Sequence, residues 1–352
     1  MAEISSFKSP VIPEKLPLKK LNLKRLKPGL KKAYRKLTEF SAILKNIPNP
    51  QKTLTLLTVE EAINSVGLCR NKKMLAQLFC PELYPKKSKE IQSILQCREA
   101  LKDALKKPLN TSFLLQLHRR VKKGFVTQKA DLGRFRNRQN WIGPEGGSIE
   151  EGRFFPPKAS QVPAYMKNLQ DYLFSEEQDP LVQLAIYFAQ LLIIHPFMDG
   201  NGRVGRIFLS MFLYQKQLTS HPLFYWSGYC KRHHKKYFDR LFNISAKRDW
   251  EGWILFFLKG IVEEGERNCK KAKALEALYK KWADQLLVSF PPSQVKRILG
   301  FLFENPIFPL KKIKTRNFAV LQKICGIRRL SKVLICEPIL FAASASSHFS
   351  SF

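Results

Sequence analysis

Two apolar stripes at helical spacing, parted by a short loop, constrain this chain more than any other feature. Leu181, Leu184, Ala185, Phe188, Leu191 and Leu192 fall on one helical face. Val204, Ile207, Phe208, Met211 and Phe212 fall on another. Pro196 stops the first helix, and Asn201 with Gly202 opens the second. Asp199 to Gly202 is strong hairpin-turn chemistry. A hairpin needs flanking strands, however, and both flanks here have the helical period. The expected fold class is all-α.

The loop between the stripes carries chemistry. His195 continues the first stripe, so it should face the interior at a helix end. Its ordinary pKa suits it to take a proton from an attacking hydroxyl. Asp199 is a hard oxygen ligand of the kind that holds Mg²⁺ against phosphates. Gly200 and Gly202 permit positive φ and close backbone approach, so successive N–H groups can converge on an anion. The helix N-terminus adds partial positive charge at the same point. Arg203 and Arg206 are neighbours on one helical face and offer paired donors to phosphate oxygens.

Residues 195–206 match His-x-Phe-x-Asp/Glu-Gly-Asn-Gly-Arg-x-x-Arg at every defined position, and so resemble the Fic family. The resemblance implies a Fic-fold helical core that uses MgATP to transfer AMP onto a protein hydroxyl. It assigns the general base to His195 and Mg²⁺ to Asp199. The nucleotide falls to Gly200, Asn201, Gly202, Arg203, Val204, Gly205 and Arg206. Gly133 to Gly143 resembles the small β-hairpin flap that docks the target peptide, here a protein substrate offering a Tyr, Thr or Ser hydroxyl. Phe155, Pro156 and Pro157 follow it as in the family. Tyr237 to Leu241, Trp250 to Trp253 and Phe256 to Leu258 resemble the closing helices. Tyr237 is expected either to border the adenine pocket or to be a core aromatic. The resemblance runs from about Leu16 to about Val262.

Leu54 to Ser65 is similar to the helix that carries a self-inhibitory glutamate in many relatives. The resemblance implies that this glutamate pairs with the first motif arginine, Arg203. Here Cys69 stands in the glutamate's place and Arg70 follows it. No Glu-Gly or Glu-Asn pair in the chain has Ser or Thr four residues before its glutamate. The expected internal clamp is absent or rebuilt.

Four regions are expected: a disordered tail over 1–15, an N-terminal helical region over 16–105, a catalytic core over 106–265, and a remainder over 266–352. In that remainder, residues 268–287 read as one charged helix. Pro291 and Pro292 mark a linker, and Val295 to Phe303 an amphipathic helix. These resemble the start of a partial winged helix. The resemblance fades after about Cys325, and the chain's last residues look unlike an ordered end.

Composition bounds the rest. The 352 residues are 45% hydrophobic, which excludes wholesale disorder. Seven scattered cysteines without a Cys-x-x-Cys pair suit a reducing compartment. The cytoplasm is the expected location, of the producing cell or of one into which the protein is delivered. The run from Val182 to Phe197 contains Gln183, Gln190 and His195 and is too short to span a membrane. The net charge of +33 is concentrated toward both ends. The basic termini offer nucleic acid a surface, although lysine spread over solvated faces gives the same count. Two function classes follow. One is an AMP-transferring enzyme, ATP- and Mg²⁺-dependent, modifying target proteins and itself, with a homodimer left open. The other is a nucleic-acid-binding regulator whose core is secondary or inactive. Within the first, transfer of another phosphate-containing group also fits a loop that grips phosphates rather than bases.

Overall fold

The computed structural model describes residues 9–67, 72–103, 108–123, 131–143, 147–175, 178–309, 315–330 and 333–342. Four helices precede the first long linker: α1 (Leu23–Asn46), α2 (Pro50–Thr53), α3 (Thr55–Ser65) and α4 (Lys72–Phe79). Then come α5 (Lys89–Asp103), α6 (Thr111–Lys122), α7 (Val162–Leu173), α8 (Pro180–Ile194) and α9 (Asn201–Gln215). The chain continues through α10 (Ser227–Arg232), α11 (His234–Lys247), α12 (Trp250–Leu287) and α13 (Pro292–Glu304). It ends with β1 (Ile307–Pro309), α14 (Thr315–Cys325), β2 (Ile327–Leu330), β3 (Val333–Cys336) and α15 (Glu337–Ala342). The fold is all-α, with one small sheet.

The axis of the molecule is α8. Asp179 caps it by accepting the N–H groups of Leu181 at 2.9 Å and Val182 at 3.3 Å, and Pro180 starts its first turn. Every residue from Leu181 to Ile194 is buried, so this is a core helix with no solvent face. Helices α7, α9, α11 and α12 pack around it. Phe188 of α8 meets Trp226 edge-on at 5.5 Å and stacks with Trp253 at 6.2 Å. Burying one such side chain stabilises the fold by about 1.5–3 kcal/mol. The two buried glutamines of α8 are reused as fasteners. Gln183 donates to the carbonyls of Tyr172 at 2.9 Å and Ser175 at 2.7 Å, and Gln190 donates to that of Glu14 at 2.7 Å.

Three expectations change. Residues 9–15 are not a disordered tail. The Val11 N–H donates to the Phe155 carbonyl at 2.9 Å, and Glu14 accepts from the Trp250 indole at 3.0 Å. Those backbone and side-chain bonds hold the segment on the core. The boundary expected at 265/266 falls inside α12, a single 38-residue helix from Trp250 to Leu287. It packs against α1 and α8, and also against α13, α14 and α15. Order also extends beyond Cys325. β2 and β3 pair antiparallel, β1 adds to β3 on the other side, and all four residues of β3 are buried. The apolar run Val333 to Cys336 forms the sheet's central strand. Residues 343–352, and Cys69 with Arg70, lie outside the described residues.

Candidate active site

The loop at residues 195–200 joins two helix ends. α8 closes at His195, which adopts a left-handed conformation with φ 50° and ψ 60°. The imidazole Nδ1 lies 3.2 Å from the Leu192 carbonyl, which acts only as an acceptor. Nδ1 therefore carries the proton, and Nε2 is left as the acceptor. Burial pushes the His195 pKa down to about 4, with nearby Arg136 adding to the effect. The ring is neutral near pH 7 and remains partly exposed.

α9 opens at Gly200, whose φ of 87° favours glycine. The first i to i−4 bond of the helix runs from the Val204 N–H to the Gly200 carbonyl at 3.0 Å. By helix geometry the N–H groups of Asn201, Gly202 and Arg203 have no acceptor within the helix. Gly202 also leaves room for Arg206. A Cβ there would sit 2.9 Å from Arg206 Nη1.

The expected residues divide into those that face this anion site and those that build it. Asn201 is 1% exposed, and both ends of its amide are spent on the loop itself: Oδ1 accepts from Phe197 N at 2.9 Å and Nδ2 donates to Phe197 O at 2.8 Å. Its side chain fixes the loop. Val204 is fully buried, and Gly205 lies against Phe188. Both form the α8–α9 contact. Tyr237 is 5% exposed, with its ring against Trp226 and Trp253. Its hydroxyl lies near Arg206. Tyr237 therefore packs as a core aromatic, one of the two placements expected for it.

Arg203 and Arg206 are held apart by different partners. Arg203 donates to Ser93 Oγ at 2.8 Å and to Asp199 Oδ2 at 3.3 Å. Arg206 donates to Ser65 at the end of α3, with Nη2 2.9 Å from its carbonyl and 3.1 Å from its hydroxyl. The arginine touched by α3 is thus Arg206; the position of the expected glutamate, Cys69, lies outside the described residues. The i, i+3 spacing sends the two guanidinium groups to different neighbours. Behind Ser65, on the same helix, Glu61 is 3% exposed and accepts from Ser227 through both carboxylate oxygens. Burial pushes its pKa up to about 7, against the pull of Ser227 and Arg206.

Several functional neighbours gave no sequence signal. α6 reaches the loop twice. His118 Nδ1 accepts the Gly133 N–H at 3.0 Å, so its Nε2 donates to the Asp199 carbonyl at 3.1 Å. Four residues on, Lys122 donates to Asp199 Oδ2. The Asp199 carboxyl lies below its ordinary range: partial desolvation works the other way, but Lys122 and Arg203 outweigh it. The expected flap, 133–143, contributes a single antiparallel bridge between Ile142 and Phe154 among its described residues, not a pair of strands. Two of its residues turn inward instead. Arg136 is 3% exposed and donates to the His195 carbonyl at 2.9 Å, with further bonds to the carbonyls of Pro157 and Ile194. Asn140 donates to Phe197 O at 3.2 Å. Trp141 stays outside, 38% exposed.

Residues 108–213 match the Fic/DOC family model. Over these residues the chain is similar to the Fic/DOC family. A protein adenylyltransferase from Caenorhabditis elegans is 32% identical over 103 residues, 28% of this chain and 18% of that protein. The protein adenylyltransferase Fic of Culex quinquefasciatus is 29% identical over 230 residues, covering 60% of this chain and 40% of its own length. The chain therefore spans less than half the length of these curated relatives. Its fold is that of a Fic family protein from Desulfovibrio desulfuricans, with a TM-score of 0.62 at 14% identity over 92% of this chain and 98% of the other. A Fic-domain signalling protein from Bacteroides thetaiotaomicron gives a TM-score of 0.53 at 18% identity over 70% and 97%. The Fic match ends within α9, so α10 to α15 lie beyond it.

Proposed function

We propose that the protein is an adenylyltransferase that moves AMP from ATP to a hydroxyl side chain of a protein, its own chain included. The observation that carries this reading is the His195 tautomer. A neutral imidazole with Nδ1 committed to Leu192 presents Nε2 as a proton acceptor beside a loop that converges N–H groups and two arginines. The triphosphate settles on the first turn of α9, between Arg203 and Arg206. Charge-assisted donors of this kind are the strong ones for phosphate. The incoming hydroxyl oxygen attacks the α-phosphorus as Nε2 takes its proton. A new P–O bond forms to the side chain, the bond to the β-phosphate oxygen breaks, and pyrophosphate leaves. Arg203, Arg206 and the helix N-terminus stabilise the charge that develops.

The loop also fits a phosphate-borne Mg²⁺. Asp199 is its one carboxylate, and no group of three or more His, Cys, Asp or Glu side chains suited to a metal is found among the described residues. Mg²⁺ bound with nucleotide commonly takes just one or two protein carboxylates. When bound at Asp199, it would supply Lewis-acid neutralisation of the phosphates. The target peptide is read as docking along the flap near exposed Trp141 and the Ile142–Phe154 bridge. Among the described residues no helix is long and apolar enough to cross a membrane. The test is transfer of label from ATP in wild type and in His195→Ala. The variant should bind nucleotide normally and lose about 10²–10⁴ of the transfer rate.

A further inference from the structure

Asp199 already holds a cation. Lys122 lies in the last turn of α6 with a side chain only 5% exposed, and its ammonium donates to Asp199 Oδ2. The methylene stem is fixed too: Cγ and Cδ run 3.1 and 3.2 Å from where a Cβ on Gly200 would stand. One turn earlier, His118 holds the backbone carbonyl of the same aspartate at 3.1 Å. The face of α6 thus grips Asp199 at both its carbonyl and its carboxylate. The same Oδ2 also accepts Arg203 at 3.3 Å, and Oδ1 accepts the Gly200 N–H. The acid meant for a divalent ion is met on one oxygen by two fixed positive groups. An ammonium is a compact point charge that serves phosphates as well as carboxylates.

We infer that Lys122 is a built-in cation on Asp199, competing with the divalent metal for that carboxylate and supplying positive charge to the nucleotide phosphates when metal is scarce. The inference rests on the nucleotide-binding part of the function proposed above. Without a metal, Asp199 would repel a triphosphate unless its own charge were met, and Lys122 meets it. A metal arriving with the nucleotide must push the ammonium off Oδ2, which lowers the apparent metal affinity. Lys122 therefore sets how strongly nucleotide binding depends on metal.

The experiment uses the full chain and a non-hydrolysable ATP analogue. Calorimetry gives its affinity in EDTA and in excess Mn²⁺ for wild type, Lys122→Met and Lys122→Arg. Paramagnetic resonance gives the Mn²⁺ affinity of each protein with the analogue bound. Methionine keeps the apolar stem, arginine keeps the charge, and a melting curve confirms that each variant folds. Lys122→Met should lose about 10- to 150-fold of analogue affinity in EDTA, the usual worth of a charge-assisted hydrogen bond. It should recover in Mn²⁺ and bind Mn²⁺ at least ~10-fold more tightly than wild type, because no ammonium contests Asp199. Lys122→Arg should follow wild type in EDTA. The inference is overturned if Lys122→Met matches wild type in EDTA, or if its Mn²⁺ affinity is unchanged or weaker. Wild type that binds the analogue in neither condition overturns the nucleotide reading itself, and this inference with it.

Discussion

Arg136→Met should damage both stability and catalysis, although Arg136 touches no substrate. The guanidinium is 3% exposed and is satisfied by backbone carbonyls at the C-terminal end of α8 and by the Pro157 and Arg138 carbonyls beside it. Burial pulls its pKa down to about 10, so it stays charged at neutral pH. Removing it orphans the two close acceptors, His195 O at 2.9 Å and Pro157 O at 2.5 Å. Each buried orphan costs about 1–3 kcal/mol. The loss of a cation at a helix C-terminus adds ~0.3–1 kcal/mol. Recovered desolvation of the guanidinium offsets part of this. A net destabilisation of about 3 kcal/mol is expected, read as a lower urea midpoint at unchanged slope. Transfer should fall as well, because the carbonyl that Arg136 holds belongs to His195, whose left-handed backbone aims the base. Arg136→Lys should recover only part of the loss, since one ammonium cannot span acceptors on both sides. A Met variant within ~0.5 kcal/mol of wild type, the usual range for a surface change, would refute the view that this arginine ties the flap to the base.

Two further outcomes follow from the site. The pH dependence of kcat/KM should stay flat through 6.5, the ordinary histidine value, and fall only as pH drops through about 4, because His195 must be unprotonated to act and its pKa is lowered by burial. An inflection near 6.5 would show a solvated imidazole. Gly202→Val and Arg206→Ala should each weaken analogue binding by more than they alter stability. Valine's Cβ would displace the Arg206 guanidinium from 2.9 Å away, and loss of the arginine removes donors worth about 1.5–3 kcal/mol. Calorimetry giving wild-type affinity for both would contradict the loop's role.

The helices and the loop were legible because their signals are local. Periodicity placed α8 and α9, Pro196 marked the stop, and Gly200 marked the positive φ. The direction of each loop side chain was less legible. Asn201 turns back on Phe197 because buried polar groups must find partners wherever packing leaves them, and Tyr237 packs its ring against Trp226 and Trp253. The neighbours that complete the site were not legible. Lys122, His118, Arg136 and Ser65 lie 59 to 141 residues from the loop groups they contact. Nothing in a single sequence links such distant positions. The continuity of α12 was hidden because its apolar first half and charged second half read as separate helices. β3 was missed because four apolar residues look alike in a strand or a buried helix.

The central claim is that this loop holds ATP so that the α-phosphorus meets a hydroxyl beside His195. The most direct measurement incubates the full chain with a mixture of candidate proteins and ATP labelled at either the α- or the γ-phosphate. Wild type and His195→Ala are run side by side. The account predicts covalent label from α-labelled ATP alone, on the chain itself or on another protein, and its loss in His195→Ala. Label from γ-labelled ATP would show phosphate transfer instead. Equal labelling by the variant would contradict the account by removing His195 from the chemistry.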